Sequence, residues 1–267
     1  MDLGIAGRAC VVTGAGRGIG RATARVLCAE GAQVLLVARS EDEVAAAAAE
    51  AGRAGAGAHG RATHLALDIT ESDAAERVVA EANDRFGAID VLVNNAGTAA
   101  WRRLEEIPDE AWQRAHELNV LAPMRLMRSA VPAMVERGWG RVVNVSSSAG
   151  KRPSPMMGEY SVAKAGLLSL SRLYADRYAA DGVLVNAICP GPVKSEMWMA
   201  DGGLLDQSRE GSERDEALAA TGAKRPIGRL AEVEEIASAI AFLCSQRASY
   251  VAGSAWSVDG GTVQVII

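Results

Sequence analysis

Tyr160 and Lys164 stand four residues apart in GEYSVAKAG, inside a stretch whose apolar spacing predicts a helix over 158–179. Four residues on a helix place two side chains on one face and within reach of each other. A lysine cation beside a phenol favours the phenolate and draws its pKa down from about 10. That would make the tyrosine a general acid/base. The same spacing also describes a surface pair on an alanine-rich helix, and the two residues alone do not choose. Three serines, Ser146, Ser147 and Ser148, precede them, and any one hydroxyl could stabilise charge developing on a substrate oxygen. Other chemistries find less support. His59, His64 and His116 lack metal spacing or a triad partner, and Cys10, Cys28, Cys189 and Cys244 form no paired motif. No metal site is expected, and the thiols read as free and buried in a reducing compartment.

A second chemical signal is TGAGRGIG at residues 13–20, with four glycines in eight residues. It falls between a short aliphatic run and a helical stretch, where amides and the helix dipole favour an anion. A plain strand-to-helix turn needs one or two glycines, seldom four. The spacing departs from GxGxxG, which from Gly14 and Gly16 would require glycine at Ile19.

These residues need a scaffold. Aliphatic runs at 8–13, 33–38, 62–67, 90–93, 141–146 and 183–188, with a last one near 256–258, predict strands. Near-continuous apolar runs suit strands buried on both faces, as in a parallel sheet. Helical patterns lie between them at 18–30, 41–51, 71–86, 109–136, 158–179 and 232–245. The alternation predicts one α/β domain over 1–267, a doubly wound parallel sheet of Rossmann type. GRAGAGAHG at 52–60 reads as a flexible surface loop. Residues 190–228 read as a long irregular stretch, with a substrate lid at about 192–225.

The 267 residues carry a formal net charge of −5, against a nucleic-acid partner. The N-terminus lacks the layout of a signal peptide, and there is no apolar run long enough to cross a membrane. A cytoplasmic protein is expected.

The landmarks together resemble the short-chain dehydrogenase/reductase family in its compact form. Gly14-x3-Gly18-x-Gly20 is similar to that family's glycine pattern, and Asn94-Asn95-Ala96-Gly97 to its structural motif. Asn119 in ELNVLAP, VVNVSSSAG, Tyr160-x3-Lys164, Pro190-Gly191 and the stretch from Arg225 to Gly261 follow in family order. The resemblance implies a catalytic set of Ser147, Tyr160, Lys164 and Asn119. Ser147 is selected because the family's serine lies thirteen residues before its tyrosine, and Asn119 would hold a proton-relaying water. It also implies a dinucleotide held by Gly14, Gly16, Arg17, Gly18, Ile19 and Gly20. Asp68 and Ile69 would lie beside the adenine. Asn95, Ala96, Gly97, Tyr160, Lys164, Pro190, Gly191, the backbone at Val193, and Ser195 would complete the site.

An acidic residue at the second strand's tip selects a ribose 2′-hydroxyl, whereas arginine suits a 2′-phosphate. Here Arg39 and Ser40 stand at that tip, and Arg17 lies in the glycine loop. NADP(H) is therefore favoured, with NAD(H) possible. Trp101, Met156, Met157, Trp198 and Met199 could form an apolar substrate wall, though lid packing would use them equally well. The expected reaction interconverts a ketone and a secondary alcohol, with a 3-oxoacyl thioester a leading substrate. Alternatives are an NAD-dependent sugar, polyol or steroid alcohol dehydrogenase, or a non-catalytic nucleotide-sensing protein. The resemblance further implies a homotetramer through 109–136, 158–179 and the C-terminal region, where VQVII at 263–267 would be covered.

Overall fold

The run ACVVT at Ala9–Thr13 (β1) is buried at every position, and its side chains alternate between two separate apolar layers. Cys10 and Val12 enter one layer, and Val11 enters the other. Gln33–Ala38 (β2) repeats this period of two, with Val34 and Leu36 on one side and Leu35 and Val37 on the other. A strand covered on both faces has no reason to alternate polar and apolar residues, so its sequence reads as one aliphatic block.

The computed structural model describes residues 2–209 and 211–264. Five more strands complete the sheet: Arg61–Ala66 (β3), Val91–Asn94 (β4), Gly140–Val145 (β5), Val183–Pro190 (β6) and Ala255–Val258 (β7). Their order is β3-β2-β1-β4-β5-β6-β7, and every neighbouring pair is parallel. Helices Gly18–Ala29 (α1), Glu41–Gly55 (α2) and, near the C-terminus, Val233–Cys244 cover one face through Leu27, Val44 and Ile240. Ala74–Phe86 (α3), Ala122–Glu136 and Gly158–Tyr178 cover the other through Val78, Leu126 and Ala175. The chain reverses its direction of winding between β1 and β4, which opens a crevice at the carboxyl ends of those strands. The expected doubly wound architecture is present.

Three expectations are corrected. Residues 52–60 are not a flexible loop: α2 continues to Gly55, and a short 3-10 turn spans Ala56–Ala58. Gly55 and Gly60 serve close packing, since a Cβ there would stand 2.8 Å and 2.0 Å from the Cys28 carbonyl oxygen, whereas Gly52 and Gly57 meet nothing. The expected helix 109–136 is interrupted. Asp109–His116 (α4) and Ala122–Glu136 (α5) are joined by a π-helical turn, Glu117–Leu121. The stretch 190–228 is not irregular throughout. After Ser148–Lys151 (α6) and Gly158–Tyr178 (α7), the chain forms Glu196–Met199 (α8), Leu204–Ser208 (α9) and Arg214–Ala223 (α10). Val233–Cys244 is then α11. Glycine punctuation hid these helices, because each is short and bounded by turns.

Candidate active site

The glycine loop is shaped by contact with β4. Gly14 has φ +64°, and a Cβ there would lie 2.7 Å from the Cα of Ala96. At Gly20 a Cβ would meet the Gly14 carbonyl oxygen at 2.4 Å and Asn95 Nδ2 at 2.5 Å. Asn95 explains the closeness: its Nδ2 donates to the carbonyls of Thr13 (2.9 Å) and Gly14 (3.1 Å). Thr13 Oγ1 in turn accepts from the backbone amides of Asn95 and Ala96. The side chains of Thr13 and Asn95 thus stitch the loop to the end of β4. The start of α1 is left as a backbone surface that an anion can approach. Arg17 is an exposed residue just before α1, and Gly16 packs against the side chain of Glu43, a carboxylate that the sequence reading passed over.

At the tip of β2, Ser40 caps α2 by accepting from the Glu43 amide, and Arg39 lies beside Asp68. Burial raises the Asp68 carboxyl, but Thr70 donates to it from both its amide and its hydroxyl. With the Arg39 guanidinium nearby, the net shift is downward. Asp68 is therefore an anion already engaged in its own turn. Ile69 beside it is buried.

The carboxyl ends of β4, β5 and β6 gather the four expected catalytic residues. Ser147 follows β5 and precedes α6, where its Oγ accepts from the Ala149 amide. Tyr160 and Lys164 lie on α7, both more than nine-tenths buried, with Nζ 5.6 Å from the phenol ring centre. Lys164 Nζ donates to the Val145 carbonyl at 2.8 Å. Ser146 Oγ donates to the Lys164 carbonyl, so its hydroxyl holds α7 against β5. Asn119 sits in the π turn and is fully buried. Its Nδ2 donates to the Ala115 carbonyl, while its Oδ1 has no hydrogen-bond partner. A Cβ on Gly97 would be 3.0 Å from that oxygen and 3.2 Å from Lys164 Nζ. The absence of a side chain at Gly97 lets the two groups converge. A π turn shifts helix register by one residue, and here it presents Asn119 inward.

The electrostatics correct one expectation. Burial pushes the Tyr160 phenol up to about 12, although the Ser147 hydroxyl works the other way. Burial also takes Lys164 down to about 7. Desolvation opposes the charged form of each, and a half-neutral lysine exerts less pull on its phenol. The pair is set with Tyr160 protonated at neutral pH.

Asn94, expected as part of a structural motif, and residues that the sequence reading missed support this site from beneath. Asn94 Nδ2 donates to Asn144 Oδ1 at 2.8 Å, and Asn144 Nδ2 donates to Ser171 Oγ at 2.9 Å, all buried. The chain of bonds ties β4, β5 and α7 below the catalytic side chains. Cys189, at the end of β6, is a buried thiol raised to about 11 by desolvation, beside Ser147 and Lys164. An asparagine within a strand run was the available signal for Asn144; nothing marked Cys189.

Beyond β6, Gly191 passes so near Asp259 that a Cβ would lie 2.8 Å from its carbonyl oxygen. Val193 bridges to Ala231, and the chain then turns Ser195 and Glu196 over Gly18. Of the expected binding residues at 190–195, Ser195 therefore reaches the glycine loop. Trp101 and Met156 lie on segments joined side by side, whereas Trp198 and Met199 belong to α8. No group of His, Cys, Asp and Glu suited to a metal occurs among the described residues.

Fold and site define a Rossmann-type oxidoreductase domain. A family model described as enoyl-(acyl carrier protein) reductase matches residues 14–263. The chain is 40% identical over 268 residues to cis-4-hydroxycyclohexanecarboxylate dehydrogenase of Sinomonas cyclohexanicum, covering 99% of this chain and 100% of that protein. It is 36% identical over 259 residues to 3-oxoacyl-(acyl-carrier-protein) reductase FabG of Escherichia coli, covering 97% and 98%. L-sorbose reductase from Gluconobacter frateurii, solved with NADPH and L-sorbose, superposes with a TM-score of 0.93 at 36% identity over the full length of both chains. The chain belongs to the short-chain dehydrogenase/reductase family and is an oxidoreductase of that family.

Proposed function

We propose that the protein is an NADP(H)-dependent oxidoreductase interconverting a ketone and a secondary alcohol. The observation that carries this reading is the convergence of Lys164 and the unpartnered Asn119 oxygen on side-chain-free Gly97, with Tyr160 beside both Lys164 and Ser147. The glycine loop fits a dinucleotide: the missing side chains of Gly14 and Gly20 let the loop pack against Ala96 and Asn95, which leaves the amides at the start of α1 bare for a phosphate. A bound nicotinamide supplies the hydride for reduction or accepts it in oxidation. Ser147 donates a hydrogen bond to the substrate oxygen and stabilises the charge growing there. Tyr160, protonated at neutral pH, gives its proton to that oxygen as the carbonyl is reduced. Lys164 and a water held by Asn119 Oδ1 replace the lost proton. A buried acceptor without a partner is a natural seat for such a water. Alcohol oxidation runs the same path backwards and needs the phenolate, so it gains with rising pH.

Arg39 and Arg17 support NADP(H), since two guanidinium groups can clamp a 2′-phosphate. The solved relative with bound NADPH supports the same reading. Glu43, packed on Gly16, is the carboxylate that favours NAD(H) instead. A 3-oxoacyl thioester stands first among substrates, supported by the FabG relatives. The alicyclic acid and sugar relatives support a cyclic ketone and a ketose as the next candidates. We also infer a homotetramer. Val162 (57% exposed) and Leu173 (66% exposed) lie eleven residues apart on α7, on one helix face, where a second copy would cover them. Val263 is buried, and residues 265–267 of the expected subunit-contacting tail lie outside the described residues. No described helix is long and apolar enough to cross a membrane. The four free, buried thiols support a cytoplasmic location.

The test is turnover of acetoacetyl-coenzyme A, 4-oxocyclohexanecarboxylate and L-sorbose with NADPH and with NADH. Turnover of at least one, lost about 10²- to 10⁴-fold in Tyr160→Phe, is expected. Arg39→Asp should raise the KM for NADPH far more than that for NADH. NADPH binding without turnover of any ketone would sink the catalytic reading; equal response of both cofactors would sink the 2′-phosphate assignment.

A further inference from the structure

Residues 196–223 form a unit cross-linked to itself. Arg214 donates to the Met199 carbonyl and pairs with Asp201 and Asp206. Asp206 also accepts from the Gly202 amide at 3.0 Å, and Leu204 and Leu205 are fully buried beneath it. The unit enters through the Val193–Ala231 bridge and leaves near Ile227, whose amide donates to the Gly260 carbonyl. Apart from bonds to the adjoining residues Ser195 and Arg225, one hydrogen bond among the described residues joins 196–223 to the rest of the molecule. The Trp101 backbone N–H donates to Gln207 Oε1 at 2.8 Å. Gln207 is held for this purpose at its other end, where Nε2 donates to the Gly202 carbonyl at 2.7 Å.

The bond lands on a consequential place. Trp101 lies on the segment that continues from β4 past Gly97. The next amide, that of Arg102, donates to the Met156 carbonyl at 2.8 Å. Consecutive amides of an extended segment point to opposite sides, so 101–102 is clasped between the lid and the chain entering α7. Met157 caps α7, three residues before Tyr160. A continuous path therefore runs from Gln207 through Trp101, Arg102 and Met156 to the helix that carries the general acid.

Resting on the ketone–alcohol reading above, we propose that Gln207 is a positioning residue for the carbonyl substrate, a latch that holds the lid against the Trp101 segment and so sets the wall of the substrate cleft. Burial of Leu204 and Leu205 keeps the lid on the body, but apolar contact is non-directional and tolerates sliding. The Gln207 bond supplies direction. Gln207 is exposed, so water competes for both of its groups, and the latch is weak enough to open in each catalytic cycle.

The test compares Gln207→Leu, which loses both bonds, with Gln207→Glu, which keeps the acceptor. On the best ketone of the panel above, Gln207→Leu should raise substrate KM about three- to tenfold. The kcat, the KM for NADPH and the Tm should stay near wild type, and Gln207→Glu should restore substrate KM to within about twofold. Amide hydrogen exchange in the NADPH-bound protein should quicken for the peptide 98–104 in Gln207→Leu, with the β4 peptide unchanged. Unchanged exchange at 98–104 would overturn the latch. So would a joint loss of kcat, both KM values and Tm, which marks a merely structural residue. A wild type that reduces no ketone breaks the functional reading, and the exchange measurement then decides the latch alone.

Discussion

The glycine loop at 13–20 and the lid at 196–223 face each other across the crevice, and Gly20 in the one and Gly202 in the other are glycine for opposite reasons. In the loop, glycine is demanded by what it packs against: Gly14 and Gly20 press on the backbone of Ala96, on the side-chain amide of Asn95 and on each other. In the lid, Gly202 has φ +71° and open space where its Cβ would be. The first region is held by backbone and buried amide contacts, the second by arginine–carboxylate pairs and one exposed glutamine. On the proposed reading, the loop must present bare amides to an anion and so cannot give way, whereas the lid must leave and return.

Substitution tests that contrast directly. Gly20→Ala puts a methyl 2.4 Å from a backbone oxygen that Asn95 holds in place, so the loop must move as a whole. We expect loss of NADPH binding by titration calorimetry or fluorescence, with a stability cost of about 1–3 kcal/mol; ordinary binding would show that the loop is as pliable as the lid. The buried pair beneath the crevice gives the next largest effect. Folded Lys164 loses its proton near 7, whereas in the unfolded chain it does so near 10.5. Between these values the unfolded state binds more protons, so raising the pH stabilises the fold. Wild type should gain stability relative to Lys164→Met from pH 7 to pH 10 in urea melts. A flat difference would mean that Lys164 is solvated in the folded protein. Gly202→Ala meets no atom and pays only for its left-handed backbone, about 1 kcal/mol. A Tm drop of about 2–4 °C with unaltered NADPH binding is expected; a loss of binding would join lid and loop into one rigid unit.

The same contrast governs what could be read from the chain. Strand runs such as QVLLVA were legible because burial on two faces erases alternation, and the observed β2 spans Gln33–Ala38 as expected. The helix pattern of 109–136 was legible as a helix, but its π turn was not: Asn119 looks polar in a helix whichever way the register runs. Glycines at 52–60 were misread because sequence cannot tell a glycine freed by solvent from one squeezed by Cys28. The lid's helices escaped notice because short elements between glycines carry no periodicity to detect.

Residue types and spacing alone determined the succession of the seven strands and the longer helices between them, the glycine-dense turn at residues 13–20, and the placing of Tyr160 and Lys164 on one helix. These are local properties, set by neighbours within a few residues along the chain. Only the tertiary structure decided that burial would raise the phenol and lower the lysine, that Asn119 would meet Lys164 across Gly97, and that Gln207 would reach Trp101. Those depend on desolvation and on contacts between segments tens of residues or more apart, and no local pattern encodes either.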